Sequence, residues 1–415
     1  MSGSIRVLVC GGGIAGNAVA LQLLRAGIDT TVVERAATPR PGGQAVDLRG
    51  SSREVAERMG LMPGIRRRQL DERGMVFIDE RGRQRARMPA EMFGGEGFVA
   101  EIEISRGDLN QVLLDEIDAR PAEYGELDYR YGEWVDGLSA DADAVRVRFA
   151  SGAEADFDLV IGADGLHSAL RARVFGPRER FTEYLGAYIG FFTIPTPPGM
   201  RLETGWVGVH LVPDSTVAVR PDPDPATSMA IIATRIPVDD TLRGDVAAQQ
   251  RLISDRLAGH GWVIPSILDS MAKAPDFYFD EVTRVRMPKW SQGRVVLLGD
   301  AAYCGSPMTG MGTALALIGA YLLAGEIAET PTDFARAFDR YEELLRPLVT
   351  EVQKGTEAEV RLRHPKTRRG VAVLLAFMAV YLSRPLSPVR ALLTRLSNAR
   401  TKYPLPDYSP FAARR

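Results

Sequence analysis

The chain has 415 residues, of which 45% are hydrophobic and 25% are charged, and its formal net charge is −2 at pH 7. This length supports a large core and is typical of two domains that share an interface. The small net charge and the lack of a basic stripe with interleaved aromatics argue against a nucleic acid partner. The two cysteines, Cys10 and Cys304, do not form a C-x-x-C pair, so we expect no dithiol centre or zinc site. No export signal is recognisable, and we expect a cytoplasmic protein.

Residues 5–35 are predicted to bind a dinucleotide. An apolar strand from Ile5 to Val9 leads into the turn G11-x-G13-x-x-G16, and a helix follows. Gly11 permits the tight turn, Gly13 lets a pyrophosphate approach the backbone, and Gly16 allows close helix packing. The phosphates are expected at the helix N-terminus, where free N–H groups and the helix dipole favour negative charge.

Glu34 ends the second predicted strand, at the position where an acidic side chain accepts from the ribose 2′- and 3′-hydroxyls. An acid at this position disfavours a 2′-phosphate. NADP is therefore disfavoured at this site, whereas NAD and FAD both remain possible.

Further along the chain, the pattern predicts helices over Ser52–Met59 and Leu109–Ile117. A buried strand that starts at Asp158 then delivers Asp164 to its carboxyl end. In a parallel α/β sheet, ligands bind at this edge. An Asp-Gly pair after a strand is also a common turn, so Asp164 by itself leaves both roles open.

Between about Phe181 and Trp290, apolar residues alternate and are separated by proline-rich turns. This pattern predicts a β-sheet domain with one face over a ligand cavity. Phe192, His210 and Arg220 are candidate substrate residues, although ordinary packing is the commoner role for such positions.

The next strand, from Arg294, delivers Asp300 to the ligand edge. Asp300 is suited to accept a hydrogen bond from a sugar or ribityl hydroxyl. Gly310 and Gly312 leave backbone N–H groups available, and these can stabilise an electron-rich ring. Neither a metal-ligand cluster nor a catalytic side chain can be assigned from the sequence.

The longest apolar run, Val371 to Leu382, is too short to cross a bilayer. Leu374, Phe377, Val380 and Tyr381 recur at helical spacing, which predicts packing against the body of the protein. We therefore expect a packed helix, with peripheral membrane contact by this segment as the less favoured alternative. Residues 404–415 are expected to form a surface tail.

Taken together, these motifs resemble those of the single-component FAD-dependent aromatic hydroxylases, whose type member is para-hydroxybenzoate hydroxylase. The resemblance covers roughly residues 5–345 and rests on G11-G-G-I-A-G16, E34-R35, D158-L-V-I-G-A-D-G-L-H-S-A-L-R171 and G299-D-A-A-Y-C-G-S-P-M-T-G-M-G312. The segments G42-G-Q-A-V-D-L-R49 and I104-S-R-G-D-L109 are most similar to the branch of tetracycline-inactivating monooxygenases.

The resemblance implies an α/β fold in which a Rossmann-type FAD-binding domain is formed by residues 1–180 and 291–345. A β-sheet substrate domain is inserted at 181–290, and a C-terminal helical region covers 346–415. The FAD-binding positions carried by the motifs are Gly11, Gly13, Ile14, Ala15, Gly16, Glu34, Arg35, Asp47, Arg106, Asp164, Gly299, Asp300, Gly310, Met311 and Gly312.

Within that set, the resemblance assigns the glycine turn and Glu34 to the ADP half of FAD and Asp300 to the ribityl chain. Arg40 is placed near the reduced nicotinamide. The Asp164-Gly165 pair is intact here, whereas the tetracycline-inactivating branch has it altered. This departure puts tetracycline itself in doubt as the substrate.

The resemblance implies a monooxygenase in which NADH or NADPH binds transiently, FAD is reduced, and O2 adds to give a C4a-hydroperoxyflavin. This species would hydroxylate an aromatic or polyketide-like small molecule. The alternatives are a reductase or halogenase of the same fold that acts on an apolar substrate, and a flavin- or NAD-binding regulatory protein without turnover. The halogenase is disfavoured because no W-x-W-x-I-P segment is found. A reductase would be favoured by an apolar cavity and a membrane-bound C-terminal helix.

Overall fold

The computed structural model describes residues 5–93, 102–306, 309–354, 364–382, 403–408 and 411. Its strands are β1 (Arg6–Cys10), β2 (Asp29–Glu34), β3 (Ala45–Asp47), β4 (Gly74–Ile78), β5 (Gln84–Pro89), β6 (Glu103–Ser105), β7 (Leu127–Tyr131), β8 (Val135–Ala140), β9 (Val145–Phe149), β10 (Glu154–Phe157), β11 (Leu159–Gly162), β12 (Thr182–Pro195), β13 (Trp206–Val212), β14 (Ser215–Pro221), β15 (Thr227–Thr234), β16 (Tyr278–Val285), β17 (Ser291–Gln292) and β18 (Val295–Leu297). Its helices are α1 (Ile14–Arg25), α2 (Gly50–Arg58), α3 (Met62–Arg68), α4 (Arg106–Asp118), α5 (Ala169–Val174), α6 (Val246–Leu257), α7 (Ile264–Met271), α8 (Asp300–Tyr303), α9 (Gly312–Glu329), α10 (Phe334–Val352) and α11 (Arg368–Tyr381).

The first sheet has the order β17-β18-β11-β1-β2-β7, and β18, β11, β1, β2 and β7 run parallel. Val7, Leu8 and Val9 of β1 are fully buried, as expected for a central parallel strand covered by helices. The strongly apolar helix α9 packs against α1 and α10. The expected α/β fold is confirmed, and the carboxyl ends of β1, β2 and β11 meet at one edge.

The second sheet has the order β16-β12-β15-β14-β13-β4-β5. Five of its strands come from the range 181–290, as expected, but β4 and β5 come from residues 74–89. Strand β4 pairs in parallel with β13, from Trp206 opposite Gly74 to His210 opposite Ile78. This long-range pairing has no local sequence signal. The four-part domain division remains our proposal, with residues 74–89 adding to the second sheet.

The two faces of the second sheet have different neighbours. Phe192, Val219 and Ile232 pack into an apolar cluster with α6 and α7. On the opposite face, Val209 and Ala218 pack under Leu374 and the rest of α11. We call the latter the cavity face, because it is the face on which we expect the ligand cavity.

The C-terminal region differs from expectation in two places. Helix α10 continues through residue 345, where the FAD-binding part was expected to end. The predicted surface tail is wrong at Tyr408 and Phe411, which are 5% and 7% exposed and pack around Tyr321. The Tyr408 hydroxyl donates to Glu326 at 2.8 Å, which explains why this segment is held.

Within the part of the chain that the structure describes, one helix, α9, is long and apolar enough to cross a membrane. Of that helical stretch, 78% is buried inside the protein, as in the core helix of a globular fold.

Candidate active site

A cleft of about 330 Å³ opens at the carboxyl ends of the parallel strands. Its walls include residues of the glycine turn, the end of β2, the start of α4 and the Asp164 motif, namely Gly11, Gly12, Gly13, Glu34, Arg35, Arg40, Arg106, Asp164, Gly165 and His167. The fold therefore brings together residues that are more than 150 positions apart in the sequence.

The glycines of the turn have separate roles. A Cβ on Gly16 would lie 1.8 Å from the Gly11 carbonyl oxygen, and one on Gly11, where φ is +110°, would lie 2.5 Å from the carbonyl oxygen of Ala163. These two glycines are required by the fold itself. A Cβ on Gly13 would meet only the Arg106 guanidinium, at 3.6 Å. Space beside Gly13 is therefore left for a ligand.

No side chain caps the N-terminus of α1, which begins at Ile14 and continues through Ala15. The first N–H groups of a helix have no partner within the helix, so this end of α1 presents donors and the positive end of a dipole. A pyrophosphate beside Gly13 would satisfy these groups.

The Glu34 carboxylate is fixed by the backbone on both sides. Its two oxygens accept from the N–H groups of Gly12 and Ala36, each at 2.8 Å. A carboxylate held in this way keeps further lone pairs free for ribose hydroxyls.

We expect Glu34→Gln to weaken FAD binding about tenfold to hundredfold, because hydrogen bonds to a charged group contribute about 1.5–3 kcal/mol. Titration of the apoprotein with FAD, followed by flavin fluorescence, measures this. Glu179→Gln, at an exposed position away from the cleft, is the matched control. Equal FAD affinity in the two variants would contradict the role of Glu34.

Two amides behind the turn, one buried and one half-buried, were missed by the sequence analysis. Asn17 is fully buried and donates to the Gly12 carbonyl at 2.9 Å, and Asn110 from α4 donates to the same oxygen at 3.2 Å. The Tyr129 hydroxyl donates to the Asn17 side chain at 3.0 Å. These contacts join α1, α4 and β7 behind the turn and fix its position.

Asp164 directly follows β11 at the edge of the cleft. One carboxylate oxygen accepts from the Leu170 N–H at 3.1 Å, and the other is buried without a hydrogen-bond partner among the described residues. An unpartnered buried acceptor is costly, which favours a ligand donor at this point.

At the other end of the site, Asp47, Asp300, Gly310 and Gly312 lie close together. A Cβ on Gly310 would lie 3.8 Å from the Asp47 carboxylate, and one on Gly312 would lie 4.0 Å from that of Asp300. Gly299 and Gly310 have φ values of +66° and +65°, which favour glycine. Met311 precedes α9, whose N-terminus carries no side-chain cap and therefore also offers free N–H groups.

The Asp300 side chain is exposed to solvent, although many protein atoms lie around it. Desolvation raises the pKa of Asp300, and the nearby Arg106 opposes this shift. Arg106 begins α4 and lies between the glycine turn and Asp300. Asp47 forms an ion pair with Arg49. The site residues therefore form a continuous path from the glycine turn to Asp300, which we call the cofactor path.

Arg35 and Arg40 are both exposed at the cleft. The Arg35 guanidinium lies over the Trp134 ring at 5.8 Å, which orients it along the wall. Arg40 lies at the outer rim, where a transiently bound molecule would enter.

Of the three predicted substrate residues, only Arg220 lies on the cavity face. Phe192 is fully buried in the cluster with α6 and α7, and His210 points to the same side, with its Nδ1 2.8 Å from the carbonyl oxygen of Ile78. Burial lowers the pKa of His210. The predictions for Phe192 and His210 are therefore wrong. Alternation in a strand has period two, and the sequence did not show which set faces inward.

The cavity face is mainly apolar. Phe191, the neighbour of Phe192 in the sequence, stacks on Tyr278 with ring centroids 6.3 Å apart. The apolar residues that accompany it are Phe77, Val207, Val209, Leu211, Ala218 and Ile231. Arg220 is 4% exposed and lies 3.4 Å from Asp222 and 3.7 Å from Glu72.

A polar contact links the cofactor cleft to this face. The His167 Nε2 lies 2.6 Å from Asp280, and the Tyr278 hydroxyl donates to the same carboxylate oxygen at 2.9 Å. These interactions hold the pKa of Asp280 below its usual value against the effect of burial. His167 belongs to the D164-G-L-H-S motif, but its partner is visible only in the folded chain.

The assignment of the two faces predicts different effects for neighbouring phenylalanines. Phe192→Ala should lower the free energy of unfolding by about 3–5 kcal/mol, because it leaves a cavity in a closed core. Phe191→Ala should cost clearly less, since Phe191 is only partly buried. Urea denaturation of both variants compares them, and equal losses would contradict the assignment.

Comparison with known proteins agrees with this geometry. The FAD binding domain family matches residues 4–356, and the chain belongs to this family. It is 37% identical over 363 residues to a flavin-dependent monooxygenase of Legionella longbeachae serogroup 1, covering 85% of this chain and 88% of the relative. It is 33% identical over 396 residues to the FAD-dependent monooxygenase asL4 of Sarocladium schorii, covering 89% and 90%.

Among solved structures, the tetracycline destructase Tet(51) superposes with a TM-score of 0.79 at 32% identity. The match covers 98% of this chain and all of that one. The predicted family and its tetracycline-inactivating branch are thereby confirmed, as are an FAD-dependent monooxygenase and its FAD cofactor with NADH or NADPH as co-substrate.

Proposed function

We propose that the protein inserts one oxygen atom of O2 into an aromatic or polyketide-like small molecule bound against the cavity face. The observation that carries this proposal is the contact between the cofactor cleft and the cavity face. His167, which lines the cofactor cleft, lies 2.6 Å from Asp280, and the Tyr278 hydroxyl on the cavity face donates to the same carboxylate at 2.9 Å. A flat substrate stacked near Tyr278 and Phe191 would therefore lie beside the cofactor.

The residues of the path are those suited to hold FAD. Glu34 would accept from the ribose, the N-terminus of α1 would bind the pyrophosphate, and Asp300 would accept from the ribityl hydroxyls. FAD held by these residues would supply the redox chemistry of a reaction that uses NADH or NADPH and O2. Arg40, at the rim of the cleft, is placed to meet the nicotinamide nucleotide.

The second sheet and α11 contribute orientation and exclusion of water. The apolar side chains of the cavity face leave few polar groups to hold water next to a bound ring. Arg220 is the one cation that we assign to the substrate on this face, and its Nη1 is buried without a partner among the described residues. A carbonyl or phenolic oxygen of the substrate would be a suitable partner for it.

A reductase acting on an apolar substrate is the second candidate, and the apolar cavity face supports it. The two functions differ in the product, because only a monooxygenase incorporates oxygen. A cytoplasmic site of action is part of the proposal for both, and agrees with two free, buried cysteines.

The test is oxidation of NADPH and NADH under air by the FAD-loaded protein, with phenols, anthracyclines and tetracyclines as trial substrates. We expect one compound class to accelerate oxidation and to gain one labelled oxygen atom from isotopically labelled O2, detected by mass spectrometry. Arg220→Gln should weaken binding of that compound, whereas Arg66→Gln, on the exposed end of α3, should not. A product that is reduced but unlabelled would contradict the monooxygenase and favour the reductase.

A further inference from the structure

Helix α11 is apolar on all sides. From Val371 to Leu382, the only polar side-chain atom is the hydroxyl of Tyr381. The inner side packs on β5 and β13 through Val371, Leu374, Leu375 and Met378. A helix that is apolar all round is normally buried in a core or in a membrane.

The outer side of α11 is not buried. Val373, Phe377 and Val380 are 68%, 61% and 62% exposed, so the prediction that Phe377 and Val380 pack against the body is wrong. Together with Ala376, they form one stripe, since residues three, four and seven positions apart share a helix face. We call Val373, Ala376, Phe377 and Val380 the outer stripe. A contiguous apolar patch of this kind marks an interaction site.

Basic residues surround the start of the same helix. Lys366, Arg368 and Arg369 are exposed, and Arg369 lies four residues before Val373, at the head of the outer stripe. Two arginines in the first turn oppose the helix dipole, so they do not serve the stability of α11. Their placement instead favours contact with an anionic partner.

A pocket of about 640 Å³ next to this end of α11 adds further positive charge. Arg235, Arg256 and Lys366 line it, and Asp214, paired with Arg235 at 3.0 Å, is the one carboxylate on its wall. The Asp214 N–H donates to the carbonyl of Pro365 at 2.9 Å, which ties the pocket to the start of the helix.

We propose that α11 lies flat on the surface of a bilayer that contains anionic phospholipid. The outer stripe would enter the boundary between headgroups and acyl chains, and the basic residues at its head would meet the phosphates. The helix has 14 residues and is therefore about 21 Å long, which is less than the roughly 30 Å needed to span the hydrocarbon core. A helix of this length can instead lie along the surface of the bilayer.

This contact is independent of the reaction proposed above. It would nevertheless place the membrane beside the substrate cavity, because the inner side of the same helix covers the cavity face. An apolar substrate dissolved in the bilayer would then lie one helix away from its binding site.

Co-sedimentation of the full-length, FAD-loaded protein with vesicles tests the proposal. We expect binding to vesicles of phosphatidylcholine with phosphatidylglycerol, weaker binding at high salt, and little binding to phosphatidylcholine alone. The double variants Val373→Ser/Phe377→Ser and Arg368→Glu/Arg369→Glu should each reduce the bound fraction at least about tenfold.

Matched controls separate specific contact from general stickiness. Val246→Ser removes another exposed apolar side chain, from α6, and Arg66→Glu/Arg67→Glu reverses an adjacent arginine pair on α3. Both controls should bind vesicles as the wild type does, and retained FAD absorbance reports that all variants are folded. Failure of the wild type to sediment with anionic vesicles would overturn the proposal. So would light scattering that shows a dimer broken by Val373→Ser/Phe377→Ser without any vesicle binding, because the stripe would then bind a second copy.

Discussion

Gly13→Ala should fold as the wild type does and bind FAD about a hundredfold more weakly or worse. The backbone of Gly13 is extended, with φ of −84°, so alanine adopts it without strain. The new Cβ would meet no protein atom closer than 3.6 Å, but it would occupy the space that we assign to the pyrophosphate. Thermal unfolding of the apoprotein and titration with FAD measure the two quantities separately.

Gly16→Ala is the informative counterpart. Its Cβ would lie 1.8 Å from the Gly11 carbonyl oxygen, so helix and turn must move apart. We expect a loss of about 3 kcal/mol in the free energy of unfolding, together with the loss of FAD. Wild-type FAD affinity in Gly13→Ala would contradict the position of the pyrophosphate, whatever the result for Gly16.

Asp300→Asn should make the apoprotein more stable at neutral pH and bind FAD about tenfold to hundredfold more weakly. Desolvation raises the pKa of Asp300 in the folded chain. The folded state therefore binds the proton more tightly than the unfolded state does, and stability falls as pH rises from about 3.9, the unfolded pKa, through the folded pKa. At neutral pH, the charged carboxylate lowers the stability of the apoprotein, and asparagine removes this effect. The gain in stability should be small, because the Asp300 side chain is exposed to solvent.

Melting temperatures of the wild-type and Asp300→Asn apoproteins across pH provide the measurement. The stability gain of the variant should shrink as the pH falls toward the unfolded pKa. Asp269→Asn, at an exposed position of α7, should change neither stability nor FAD binding. A less stable apoprotein in Asp300→Asn would show that this carboxylate supports the fold rather than the ligand.

The fold brings the predicted cofactor residues to one edge because they follow strands of a parallel sheet. Gly11, Asp164 and Asp300 each come within three residues of the end of an apolar strand, and strand order places all three at one edge. Their position in the fold could be predicted from short-range patterns, since the end of each of these strands is marked by a local change from apolar to polar or glycine residues.

The substrate side was predicted less well, for a physical reason. Successive strand residues point to opposite faces, and Phe191 and Phe192 are equivalent in the sequence. Their assignment depends on α6, α7 and α11, which cover the two faces of the sheet. Likewise, the His167–Asp280 contact joins residues 113 positions apart and has no local signal.

The C-terminal predictions failed because burial is a tertiary property. Phe377 and Val380 have the spacing of a packed helix face, but α11 already packs through its other side. Tyr408 and Phe411 belong to a proline-rich segment whose sequence is typical of a surface tail. Their rings nevertheless pack on Tyr321 of α9, and Tyr408 donates a hydrogen bond to Glu326 of the same helix.

The central claim is that the cleft at Gly13 and Asp300 holds FAD for turnover, and the visible spectrum of the purified protein tests it most directly. We expect a yellow protein, as isolated or after addition of FAD, whose flavin absorbance bleaches with NADPH or NADH under nitrogen and returns with air. A colourless protein that cannot be reconstituted with FAD would contradict the cofactor assignment and the function built on it.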